Sequence, residues 1–277
     1  MWKLFFCSLS LLCASPRAAP LKLSSTPHKS DTSGIAEGSI PYDQFHLVPV
    51  RIHLLRSASP RASVTTLSLE DVKRIFRKVN RIWSASGVYF WVESVVEEKP
   101  APVSGLENYA SIPETTLPSL RNDGNIGKEM MNVYYIGNMR PNGIFIGRDA
   151  IFVKESAKLR EVKGGLEEPI PRVTAHELGH ALGLQHRQDL TNLMASGTTG
   201  YSLNENELLR VAFVLTSISW AKSPKQFLTD TENSEFDRAD TLVVQSRYRS
   251  LLEIPGASKV KGVVIERLKH SRETVKK

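Results

Sequence analysis

The stretch HELGHALGLQH, from His176 to His186, gathers three of the chain's seven histidines into eleven residues, and no other segment constrains the local fold as tightly. Val173, Ala175, Leu178, Ala181 and Leu182 recur at helical spacing around it, and Pro171 suits a first helical turn, so the pattern predicts a helix from about Pro171 to Leu184. His176 and His180, four residues apart, then project from one face, where two imidazoles can converge on one metal ion. Gly183 falls where the helix should stop. Glycine enters the left-handed backbone region freely, so the chain can turn sharply there and bring His186 to the same ion. Three neutral imidazoles with one open position fit a catalytic Zn2+ site, because a structural site is closed by four protein ligands. Glu177 stands beside the first ligand, within reach of a water at the open position, and can act there as general base and then general acid.

The start of the chain, MWKLFFCSLSLLCASPRAAP, has a basic residue at Lys3 and an apolar run from Leu4 to Ala14 that is too short to span a bilayer. Residues 1–19 read as a signal peptide, which implies a secreted or periplasmic protein; a retained membrane anchor is the alternative. Both cysteines, Cys7 and Cys13, lie inside that segment, so the exported chain would have no thiol and no disulfide. The net charge of +7 is concentrated at the ends: Lys259 to Lys277 holds seven basic residues against two acidic ones, and the body is close to neutral once Lys3 and Arg17 are set aside. No field suited to nucleic acid covers the body, and a solvated terminal helix accounts for the basic tail.

Residues 20–44, rich in Ser, Thr, Pro and Gly, read as a linker or short pro-segment. From Phe45 the order is that of a mixed α/β unit. LVPVRIHLL alternates as a strand with one buried face, which would turn His53 toward water. Leu69 to Trp83 has helical periodicity behind a Ser68–Asp71 capping box, and Val88 to Val96 returns as a strand, implying parallel pairing with the first. Two further apolar runs follow, MNVYYIG and GIFIGRDAIFV, the second split into two short strands with one at the sheet edge. YSLNENELLRVAFVL predicts a closing helix with Ser202 and Glu205 in capping-box spacing, and the catalytic unit spans residues 45–222. In the remaining 223–277, an extension with a basic helical end, Val260, Val264 and Leu268 form a stripe that can dock on the body, and a membrane-surface role is the alternative.

HELGHALGLQH matches the HExxHxxGxxH signature of the metzincin zinc metallopeptidases at every specified position, and the strands and helix before it resemble that family's upper subdomain. The resemblance implies a twisted mixed sheet with an antiparallel edge strand and an active-site helix, above a mainly helical lower subdomain. It implies a protein or peptide substrate, with the run around Gly143 to Gly147 as the edge strand that pairs with it, although ordinary pairing within the sheet is equally open. The family's methionine turn beneath the metal has its counterpart at Met194 in NLMAS, a supporting residue and not a ligand.

The chain also departs from that family. Arg187, directly after the third histidine, matches none of the acidic, proline or serine forms that mark subgroups, and the tyrosine two residues past the methionine is replaced by Ser196. Tyr201 can either swing toward the metal to steady an oxyanion or serve as a wall or core residue. With both cysteines in the leader, the exported chain would have none for a cysteine-based latency, leaving Asp43 or His46 as candidates for such a role. Two other functions fit the motif: a zinc amidase acting on a small or cell-wall peptide, and a non-catalytic binding module of the same fold. Retention of Glu177 argues against the second, since a module needing only the metal has no use for a base there.

Overall fold

The computed structural model describes residues 40–56, 61–106, 109–147, 149–233 and 241–274, with the side chains of 61, 241–243, 259 and 269–274 left aside. The leader and most of the 20–44 segment therefore lie outside the described residues. Among those residues no helix is long and apolar enough to cross a membrane.

Five strands form one sheet in the order β2-β1-β3-β5-β4, where β1 is His46–Leu55, β2 Val88–Glu98, β3 Met131–Ile136, β4 Gly143–Phe145 and β5 Ala150–Lys154. The first four are parallel, and β4 pairs antiparallel with β5 at the edge. Helix α1, Leu69–Trp83, makes the crossover between β1 and β2 and carries the expected Ser68–Asp71 capping box, which satisfies two otherwise orphan N–H groups. Helix α2, which carries the histidine pair, covers Pro169–Ala181, two residues earlier at its start and three shorter at its end than the periodicity predicts. Helix α3 is Glu205–Leu215. Its capping box is Asn204 with Glu207, two residues beyond the Ser202–Glu205 pair that the sequence favours. Both pairs have suitable spacing; the asparagine cap wins because Glu207 is also needed as a buried acceptor, described below. Along this helix Leu209 and Ala212 face solvent, while Val211 and Leu215 are buried.

The sheet is covered on both faces, as a mostly parallel sheet must be. Val48, Val50, Ile52, Val133, Tyr135 and Ile151 pack on one side with α1 and α2. Alternate residues of the same strands face the other way. There Tyr134, Ile136 and Phe152 meet Leu106, Ile112, Leu117 and Leu120 from the long β2–β3 connection. Leu47, Tyr89 and Trp91, on that second side, meet the C-terminal helices α4 (Pro224–Asn233), α5 (Thr241–Glu253) and α6 (Lys261–Thr274). Val264 and Leu268 are buried and Val260 partly so, which docks the stripe read from the tail.

This second cover corrects the reading of His53. It is fully buried, with Nδ1 2.7 Å from Glu98 Oε1, Nε2 3.1 Å from Asn132 Oδ1 and its ring stacked at 4.1 Å on Tyr134. A half-exposed antiparallel sheet would have left it in water; a sheet sandwiched between helices and a long connection does not. His53→Ala leaves the Glu98 and Asn132 oxygens without this partner inside the protein, and we expect it to lower unfolding free energy by about 3 kcal/mol in urea titration.

Candidate metal centre

Helix α2 is fixed to α1 at its start. Glu168, its N-cap, pairs with Arg74 and, at 2.6 Å, with Lys78. At its other end Gly183 has φ +82°, its N–H donates to His180 O at 2.9 Å, and Leu184 N–H donates to Gly179 O at 2.9 Å. These two bonds define a Schellman ending, which explains why the helix stops at Ala181 and how the next residues turn back.

That turn delivers His186. The three Nε2 atoms of His176, His180 and His186 stand 3.2, 3.1 and 3.3 Å apart, and they form the metal-binding group found among the described residues. His176 Nδ1 donates to Leu193 O at 2.7 Å and His180 Nδ1 to Leu184 O at 2.9 Å. A carbonyl only accepts, so each of these rings holds its proton on Nδ1 and turns an Nε2 lone pair toward the other histidines. Converging lone pairs repel unless a cation lies between them. A tetrahedral zinc with Zn–N of about 2.0–2.1 Å would hold such nitrogens about 3.3 Å apart, so the residues fit the ion. Burial pushes the His176 imidazole down to about 3 and lowers His180 as well, so neither ring retains a competing proton near neutrality.

Glu177 follows His176 and is buried, at 5% exposure. Before any cation's field is added, burial pushes its carboxyl up to about 8, while Arg172 and a hydrogen bond from the Phe145 N–H pull the other way. The edge strand lies directly against it: a Cβ built on Gly143 would fall 2.6 Å from Glu177 Oε1. Together these side chains line a cleft of about 600 Å3 with Gly143, Ile144 and Phe145 on one wall and Ser196 and Gly197 on another.

Met194 is fully buried, its Sδ close enough to Gly179 that a Cβ there would approach within 2.7 Å. Its neighbours tie the turn to everything around it. Met194 O accepts from Arg187 N at 3.0 Å, and Leu193 O holds the His176 ring. Arg187, the departure noted in the sequence, bonds through Nε to Glu207 Oε1 at 3.0 Å, and Glu207 Oε2 accepts from Asn192 Nδ2 at 2.8 Å. The residue after the third histidine therefore connects the ligand loop to the methionine turn and α3.

Tyr201, in contrast, is 42% exposed and is not among the described residues that line the cleft; Ser196 is. Asp43 and His46 do not line it either. The residue that sequence reasoning missed is Arg172, one helical turn before His176, which is buried at 1% exposure and donates to four carbonyls of residues 192–200. A lone arginine on the apolar side of this helix was the available signal.

A histidine pair on one helix and a third histidine returned by a glycine turn form a group that could hold a zinc ion, with a buried glutamate facing the same cleft. Residues 138–210 match the Matrixin family, Peptidase_M10. That segment contains the three histidines, Glu177 and Met194, so the part of this chain that is similar to the zinc metallopeptidases of that family is the part that builds the site. Metalloproteinase-II from Bacteroides fragilis superposes with 13% identity over 65% of this chain and 58% of its own, at a TM-score of 0.40; the chain thus spans less than two thirds of that protein. Archaemetzincin from Methanopyrus kandleri aligns with 14% identity over 64% of this chain and 99% of its own, at 0.42. A zinc-dependent peptidase from Methanocorpusculum labreanum aligns with 13% identity over 58% of this chain and 92% of its own, at 0.31. No curated protein matches the chain by sequence.

Proposed function

We propose that the protein is an exported zinc endopeptidase whose catalytic unit is residues 45–222, preceded by a signal peptide at 1–19 and a linker or short pro-segment. His176, His180 and His186 hold the zinc. When bound, the ion would supply Lewis acidity, which acidifies water and polarises a carbonyl. Glu177 takes the proton from the attacking water and returns it to the leaving amine. Gly183 makes the turn that presents His186, and Met194 fills the space under the ligand helix. The observation that carries the reading is the contact of Glu177 with the edge strand: the carboxylate faces the cleft exactly one residue from a ligand and 2.6 Å from where a Gly143 side chain would begin.

Among the described residues, the edge strand β4 is paired on one side only, with β5. An extended peptide adding to its free side would run its carbonyls past Glu177, which favours a peptide over a small amide substrate. Gly143→Ala tests this register, since the added methyl would also meet Val173 Cγ1 at 2.5 Å. We expect kcat/KM for peptides to fall about 10-fold or more in steady-state assays, with zinc stoichiometry unchanged.

The function itself is tested by digesting a proteome-derived peptide library with zinc-loaded protein lacking residues 1–19 and reading the products by mass spectrometry. Internal cleavages that vanish on chelation and return with zinc are expected. A zinc-loaded protein that cleaves no peptide would contradict the reading, as would one that only trims chain ends.

A further inference from the structure

We propose that Arg172 is a positioning residue for the zinc centre, which clamps the turn that orients His176 and thereby sets the metal affinity of the site. The proposal rests on the three-histidine zinc centre and not on peptide cleavage.

A guanidinium at 1% exposure is costly to bury unless its donors are engaged, and it is usually matched by a carboxylate. Here no carboxylate lies within ion-pair distance of Arg172 among the described residues. Its donors go instead to main-chain oxygens of a single turn: Nε to Gly200 O at 3.0 Å, and Nη2 to Leu193 O at 2.7 Å, Asn192 O at 3.4 Å and Ala195 O. The planar fork points at two ends of that turn at once, a geometry that the single ammonium of lysine does not reproduce.

Leu193 O is the shared atom. It accepts from Arg172 Nη2 and, at 2.7 Å, from His176 Nδ1. The direction of the His176 ring is therefore set by a carbonyl whose own place is set by an arginine one helical turn earlier on the same helix. Partners of this kind, bonded to the outer nitrogen of a ligand or to what holds it, typically govern metal affinity by 10- to 100-fold. Met194, between Leu193 and Ala195, is held by the same clamp and by its N–H bond to Asn192 Oδ1 at 2.6 Å.

The test compares zinc affinities by competition with a chromophoric chelator. Arg172→Lys is expected to bind zinc about 10- to 100-fold more weakly than the unaltered chain, and its cobalt-substituted form to show a displaced d–d absorption. Thr174→Val is the control. It removes a buried hydroxyl from the same helix, bonded to Tyr135 Oη at 3.1 Å and Ile170 O at 2.8 Å, that makes no bond to the turn. It should melt at lower temperature yet keep zinc affinity within about twofold. If Arg172→Lys is unfolded without metal, the zinc concentration for half-maximal refolding reads the same affinity. An unchanged affinity in Arg172→Lys, an equal loss in Thr174→Val, or a lysine variant that stays unfolded at saturating zinc would overturn the proposal.

Discussion

Glu177→Gln should leave the zinc bound and the peptides uncut. The amide is nearly the same size as the carboxylate, so it keeps the packing against Gly143 and the 5% exposure of the site, but it cannot take a proton. Removing a positioned general base costs about 10²–10⁴ in rate, and because Glu177 is assigned both proton transfers, the upper part of that range is expected for kcat. Zinc content by elemental analysis should stay at one per chain. A variant that cleaved at even a tenth of the normal rate would place the base elsewhere in the cleft.

Gly183→Val should do the reverse, emptying the site by moving a ligand. A β-branched residue at φ +82° is strained by the backbone alone, by about 1–2 kcal/mol, before its contacts are considered. Its Cβ would meet Val214 Cγ2 at 3.1 Å and Arg210 Nε at 3.3 Å, so side chains of α3 must also give way by a few tenths of an ångström. The Schellman bonds of Gly183 and Leu184 then weaken, and His186 loses the approach that they give it. Zinc affinity is expected to fall at least about 100-fold in chelator competition, since a whole ligand is displaced and not merely its support. Retained affinity would mean that His186 reaches the ion without this turn.

What was legible in the sequence follows the range of the interactions concerned. The metal centre could be read because its ligands lie on one helix and one turn, where spacing alone decides direction: His176 and His180 share a face, and Gly183 has the left-handed φ that its place after the helix demands. The capping box of α1 and the antiparallel edge strand were local signals too. His53 was misread because its burial depends on Glu98 and Asn132, 45 and 79 residues away, and on a connection with no periodicity of its own. Arg172 was missed for the same reason. Its acceptors lie 20 to 28 residues further on, in a turn whose path no propensity specifies. The choice of Asn204 over Ser202 as the cap of α3 likewise depended on Glu207, which answers to Arg187 and Asn192 as well as to its own helix.

The account stands on three imidazole nitrogens meeting at one ion, and zinc-edge X-ray absorption on the purified chain, with metal content measured on the same sample, tests that most directly. The predicted result is one zinc per chain with three histidine nitrogens at about 2.0–2.1 Å, reduced to two in His186→Ala. A chain that retains no zinc after equilibration with the metal, or whose spectrum is the same in His186→Ala, would contradict it.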